Sequence, residues 1–238
     1  MSLSFTWYGH SAFLFESEGH RLIVDPFLTN NPLTVVSPDD IDVEYIVLTH
    51  AHGDHTGYSD EGPAGDTLAI AAQTGATIIC NFEMGNWFLN QGVPENQVFQ
   101  GNPGGTMRGD WVDVKFTKAF HSSSFGDGSY GGQPNGMIIT AGGYTVYHAG
   151  DTSLFGDMAL ISEAGLDAAI LPIGDVFTMG VDDSIKAAKL LKARYVVPCH
   201  YNTFPPIVQD AGAWADRINR ETSSQPIVID PGTTYTLE

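Results

Sequence analysis

Thr49-His50-Ala51-His52-Gly53-Asp54-His55 places three imidazoles and one carboxylate in seven consecutive residues. Nitrogen and oxygen donors of this kind suit zinc and its neighbours in the first transition row. A single structural zinc does not need four ligand-type residues from one segment, so the stretch points to two adjacent ions. Immediately before it, Tyr45-Ile46-Val47-Leu48 is an unbroken apolar run, the pattern of a strand buried on both faces. A buried strand that ends in a ligand-rich loop is how α/β proteins mount functional groups on a rigid frame. Surface loops do collect His and Asp by chance, but such a strand does not usually feed them.

Toward the N-terminus the chain reads as strands. Residues 3–7, 11–16 and 21–25 are short, aromatic or β-branched, and are separated by turns at Gly9-His10 and Glu18-Gly19. Residues 28–40 carry Asn, Pro, Ser and Asp and read as a surface loop. Downstream, helical and strand signals alternate. Helices are expected over 66–74, closed by Gly75, and 83–91, closed by Gly92, with a strand at 77–80 between them. Residues 97–106 are turn-rich, 111–119 alternate through Val112, Val114 and Phe116, and 122–134 form a Gly- and Ser-dominated loop. Residues 136–140 and 144–148 form a hairpin across Ala141-Gly142-Gly143. The last third is a βα series: strand 167–171, helix 182–192, strand 195–198, helix 211–220 and strand 226–229. No linker or composition break divides the chain and no solenoid repeat is present, so one domain over residues 1–238 is expected. Strand-rich halves, each followed by helices, imply two sheets packed face to face with helices outside.

Composition narrows the function. Hydrophobic residues make up 42% of the 238 and charged residues 16%, as in a globular protein with a large core. The formal charge of −18 comes from 28 acidic and 10 basic residues. Such an excess repels phosphate backbones, so neither nucleic acid nor an anionic membrane is an expected partner. Divalent cations would offset part of it locally. Cys80 and Cys199 are the two cysteines; they make no disulfide framework, and a reducing compartment is the default. The first fifteen residues lack a basic leader pattern, and no apolar run approaches the ~20 residues of a spanning helix. The expectation is a cytoplasmic protein acting on a small molecule, with a homo-oligomer left open.

Further donors follow later strands. His121 comes directly after strand 111–120, Asp151 follows strand 144–148 through Ala149-Gly150, and His200 follows strand 195–198. A lone strand-end histidine is more often structural, but three such positions reinforce one another. His10, in a turn near the chain start, either contacts substrate or caps its own turn. Asp25 at a strand end is expected to brace the 50–55 loop by accepting backbone or imidazole N–H bonds. His148 reads as structural and His20 as plain surface. Asp175, Thr178 and Asn202 are loop residues expected at the edge of the site, where each contacts substrate or simply makes turn hydrogen bonds. Cys199 is expected to be a buried, unreactive thiol.

These segments together resemble the metallo-β-lactamase superfamily, whose pattern is His-x-His-x-Asp-His, then a His, a bridging Asp and a last His. Here the pattern falls on His50, His52, Asp54, His55, His121, Asp151 and His200. Tyr8-Gly9-His10-Ser11, Asp25-Pro26, Tyr147 to Thr152, Leu171 to Asp175 and Pro198 to Pro205 are similar to a poorly characterised metal-dependent hydrolase branch, itself similar to ascorbate-phosphate lactonases. The resemblance covers essentially the whole chain. It implies an α+β fold, a four-layer αββα sandwich with the ions at one edge between the sheets. It also implies His50, His52 and His121 on one ion, Asp54, His55 and His200 on the other, and Asp151 between them. The cofactor so implied is two divalent metal ions, Zn2+ first, with Mn2+, Fe2+ or Ni2+ as alternatives.

Two cations about 3.5–4 Å apart can share a water and lower its pKa toward neutrality. The expected function is therefore a dinuclear hydrolase of a small-molecule ester, lactone or phosphoester, with Asp54 also handling the nucleophile's proton. The alternatives are a nucleic-acid phosphodiesterase, against which the acidic balance and the lack of a basic, aromatic-interleaved arm stand, and a di-iron redox enzyme. In iron-binding relatives Glu replaces the second His of the first motif, whereas this chain keeps His52.

Overall fold

A computed structural model describes residues 2–57, 62 and 64–238. The strands in its first half are β1 (Ser4–Trp7), β2 (Phe13–Ser17), β3 (His20–Val24) and β4 (Tyr45–Val47). A single turn, α1 (Gly53–Thr56), and helix α2 (Gly65–Thr74) come next, followed by β5 (Thr77–Asn81), α3 (Phe82–Asn90) and β6 (Val98–Gly101). The second half runs β7 (Thr106–Arg108), β8 (Val112–Lys118), β9 (Asn135–Ala141), β10 (Tyr144–His148), α4 (Met158–Ile161), β11 (Ala168–Pro172), α5 (Val181–Leu191), β12 (Tyr195–Cys199), α6 (Ala211–Glu221), β13 (Gln225–Pro226) and β14 (Thr234–Thr236).

Among the described residues these strands form two seven-stranded sheets, ordered β14-β1-β2-β3-β4-β5-β6 and β13-β12-β11-β10-β9-β8-β7. Each sheet is antiparallel on one side and parallel on the other: β3 to β6 run parallel, as do β10 to β13. The register shows why the β4 run is apolar without a break. Ile23, Ile46 and Ile78 pair across β3, β4 and β5 and belong to a core shared with Ile70, Met84 and Phe88 of α2 and α3. Val24, Val47 and Ile79, one residue on, face Phe116, Met137 and Ile139 of the other sheet. Successive side chains of a strand point to opposite faces, so a strand between two apolar layers needs apolar residues at every position.

On the far side of the second sheet, α5 and α6 bury Ile185, Leu191, Trp214 and Ile218. The Trp214 indole, fully buried, donates to Ser184 Oγ at 2.9 Å. The layers are thus helix, sheet, sheet, helix, the α+β sandwich expected. Among the described residues no helix is long and apolar enough to cross a membrane.

Elements differ from the sequence reading mainly at sheet edges. The turn-rich 97–106 stretch contains β6 and the first residue of edge strand β7. The last strand expected, 226–229, keeps ladder pairing only at Gln225–Pro226, on the other edge of that sheet. The Gly- and Ser-rich 122–134 loop is pinned: Phe125 stacks on Trp87 with centroids 3.9 Å apart, and the Asn81 side chain donates to the carbonyls of Gly131 and Gln133.

Candidate metal centre

The topology gathers the sequence-expected donors at one edge. β1 and β3 run the same way as β4, and β8 the same way as β10 to β12. His10, Asp25 and the 50–55 loop follow the ends of β1, β3 and β4, while His121, Asp151 and His200 follow β8, β10 and β12. The edge is clasped by main-chain bonds between the two halves. Asn135 N donates to Thr49 O at 2.9 Å and His200 N to His10 O at 3.0 Å.

Asp25 organises the early histidine loop. Its carboxylate accepts the Thr49 amide at 2.8 Å, the Thr49 hydroxyl at 2.7 Å and His55 Nδ1–H at 2.8 Å. Because the Thr49 hydroxyl donates to Asp25, it accepts from His50 Nδ1, 3.1 Å away. Both rings are thereby fixed with a proton on Nδ1 and with Nε2 turned toward the cluster, the orientation a metal-binding imidazole needs. His50 Nε2 lies 2.9 Å from His52 Nδ1. Asp25 thus accepts both a backbone and an imidazole N–H of the loop.

Three overlapping sets of donor atoms result, each with every atom within 4.8 Å of the others: His50, His52 and His121; His50, His55 and Asp151; and His10, Asp54, His55 and His200. Asp151 reaches all sides, with Oδ1 3.3 Å from His55 Nε2 and Oδ2 3.4 Å from His121 Nε2 and 3.0 Å from His200 Nε2. Gly150 allows this approach. It has φ +59°, and a Cβ there would lie 2.8 Å from Thr49 Cβ and 2.9 Å from Asn135 O. His10, Asp25 and His200 also have left-handed backbones, at φ 52°, 45° and 54°. Non-glycine residues held this way cost about 1–3 kcal/mol each and cluster at functional sites.

The chemistry of the cluster fits a bound cation. His10 Nε2, His55 Nε2, Asp151 Oδ1 and both ring nitrogens of His200 are buried without a hydrogen-bond partner, a costly condition unless something else pairs them. The electrostatics agree. Burial opposes the charge on Asp151, but His200 and His55 outweigh it and hold the carboxyl well below its usual range. Asp54 is lowered too, where the neighbouring His10 and His55 prevail over burial. His55 is raised well above the ordinary imidazole value, Asp151 and Asp25 prevailing over burial, while His50 is held well below it by burial and by His55. Buried imidazoles and carboxylates compete here for positive charge, which a divalent ion would supply.

Other expected residues sit differently. His148 is buried against Phe13, accepts the Gly150 N–H on Nδ1 at 3.2 Å and joins no donor set; burial lowers its pKa to about 4. Asp175 Oδ1 accepts the Val176 N–H, the Thr178 hydroxyl donates to Met179 O, and Asn202 Oδ1 accepts the Gln209 N–H. These three are engaged in their own loops, next to the site in chain position, and no hydrogen bond or ion pair between described residues joins them to a donor. Cys199 is fully buried, and burial pushes its thiol up. His20 is exposed and pairs with Glu44 at 2.8 Å. Sequence reasoning missed Thr203, which holds His10 Nδ1 at 2.9 Å, and Asn81, which anchors the 131–133 backbone. Asn81 ends a strand beside β4 just as Asp25 follows one, and that placement was the available signal.

Comparison with known proteins agrees with this geometry. Residues 4–200 match the beta-lactamase superfamily domain. A UPF0173 metal-dependent hydrolase of Thermus thermophilus is 44% identical over 232 residues, 98% of this chain and 98% of that protein. One from Symbiobacterium thermophilum is also 44% identical, over 235 residues, 97% of this chain and 98% of that one. Among solved structures, Igni18, a metallo hydrolase from the archaeon Ignicoccus hospitalis, superposes with a TM-score of 0.88 at 35% identity, covering 100% of this chain and 99% of that one.

Proposed function

The chain belongs to the beta-lactamase superfamily and is a metal-dependent hydrolase, and from that premise we propose that it uses two divalent ions to hydrolyse a small-molecule ester, lactone or phosphoester. The observation that carries this reading is the pair of donor sets, His50-His52-His121 and Asp54-His55-His200, with Asp151 in contact distance of members of both. When bound, such a pair of ions polarises a carbonyl or phosphoryl oxygen and makes water a nucleophile near neutral pH. Zn2+ suits imidazole donors best, and Mn2+, Fe2+ or Ni2+ fit the same set.

The protein's own part is to hold and to move protons. Asp25 and Thr49 keep the lone pairs of His55 and His50 turned inward. Asp54, whose side chain is 33% exposed, is the carboxylate open to solvent. It orients the attacking water by accepting its hydrogen bond and carries the proton to the leaving oxygen. Asp175, Thr178 and Asn202 provide contacts for the substrate at the rim. A charge of −18 favours small substrates over polyanions.

Elemental analysis of the untagged protein, followed by a chromogenic panel of lactones, aryl esters, phosphodiesters and phosphomonoesters, tests the proposal. Two metal equivalents per chain are expected, with at least one activity abolished by chelation and restored by a single metal. Hydrolysis that survives complete chelation, or a loaded protein inert across the panel, overturns it. Visible absorbance separates a di-iron protein from a colourless zinc one.

A further inference from the structure

His10 is the imidazole of the cluster that neither the Thr49–His55 stretch nor the donors following later strands account for. Its backbone is locked: the Trp7 indole and the His200 amide both donate to His10 O, each at 3.0 Å. Its ring is fully buried between Phe27 and Phe204, with centroids 5.8 and 5.6 Å away, and lies 3.9 Å from the His200 ring. Nδ1 is 2.9 Å from Thr203 Oγ1, and that hydroxyl donates to Tyr201 O at 3.4 Å. Thr203 therefore accepts from Nδ1–H, which leaves the lone pair on Nε2. That atom has no hydrogen-bond partner and lies 3.3 Å from Asp54 Oδ2. A lone pair aimed at a carboxylate oxygen in a buried pocket calls for a cation between them.

We propose that His10 Nε2 is a ligand of the inner ion, which makes the two positions unequal. The inner one is held by His10, Asp54, His55 and His200, of which Asp54 alone is partly exposed, and the outer one, His50-His52-His121, has one protein ligand fewer and keeps coordination free for substrate. This assignment rests on the two-ion reading above. The alternative role for His10, a hydrogen bond to substrate, requires access that a fully buried ring does not have. The outer set does have it, since His52 is partly exposed and the His121 side chain is 12% exposed. With Asp151 within reach of both positions, the outer one still has one protein donor fewer than the inner, and room left for water or substrate is the mark of a catalytic ion.

The protein loaded with cadmium-113 and labelled with nitrogen-15 gives a direct readout in the wild-type chain. Two bound cadmium ions and a cadmium–nitrogen coupling at His10 Nε2 are expected. In competition titration with a chelator, His10→Ala loses affinity for one ion by roughly 100-fold and keeps the other, while Thr203→Val, which frees the ring to turn, loses roughly 10-fold. Two cadmium ions with no coupling at His10 overturn the assignment, as does a His10→Ala protein that binds both ions as tightly as wild type and shows only a raised KM. Uptake of a single cadmium by the wild-type chain overturns the two-ion reading and this assignment with it.

Discussion

Asp25 holds three donors at once, and its acid-to-amide change separates charge and acceptor capacity from shape. In Asp25→Asn one carboxylate oxygen becomes an NH2 group, which cannot accept from the Thr49 hydroxyl or from His55 Nδ1–H. To pair with the new donor, His55 must shift its proton to Nε2 and lose the lone pair that faces Asp151. Metal affinity is expected to fall about 10- to 100-fold, and the metal-free protein to lose about 1.5–3 kcal/mol with a charged acceptor gone. Chelator competition and urea unfolding of the metal-free protein measure the two effects, and an unchanged affinity would remove Asp25 from the account of the site. At this scale the sequence showed which residue types could ligate, because each follows a strand. It did not show which atoms fix the tautomers. Thr203 meets His10 across 193 residues, and no local pattern records such a contact.

Among elements, β4 carries the most consequence for its length, since it packs on both sides and aims the histidine loop. Ile46 is fully buried in the layer beneath α2 and α3, so Ile46→Ala should cost about 2–5 kcal/mol. The loss should appear as a lower urea midpoint with the metal stoichiometry of the folded protein unchanged. A loss below 1 kcal/mol would mean that the helical layer collapses onto the gap. The central strands were legible in the sequence because burial on both faces leaves a continuous apolar signal. The edge strands were not. β6 is only half-buried along its length and ends in Gly101, and β7 and β13 are short strands at sheet edges. β14 is three residues long and reveals itself only through pairing with β1 and the stacking of Tyr235 on Phe5. Such strands are specified by their neighbour, and their own side chains say little.

Across the whole molecule, bound metal would tie together loops that follow strands of both sheets. Ligand binding to the native state adds about 4 kcal/mol when the free ligand is a thousandfold above Kd. At roughly 2–4 °C per kcal/mol for a chain of this size, stripping the metal should lower Tm by about 10 °C, with recovery on reloading. Calorimetry of chelated and reconstituted protein measures this, and coincident transitions would show that the cluster does not bind ions in the folded state. Acid should mimic the chelator, because protons compete with metal for imidazole lone pairs.

The two main-chain bonds that clasp the site edge carry one more implication. With Asn135 tied to Thr49 and His200 tied to His10, main-chain bonds hold the halves of the sandwich together beside the buried donors. His52, His121 and Asp54 are the donors with exposed surface, while His10, His50, His55, Asp151 and His200 are buried, so a guest meets the cluster from the side of those three.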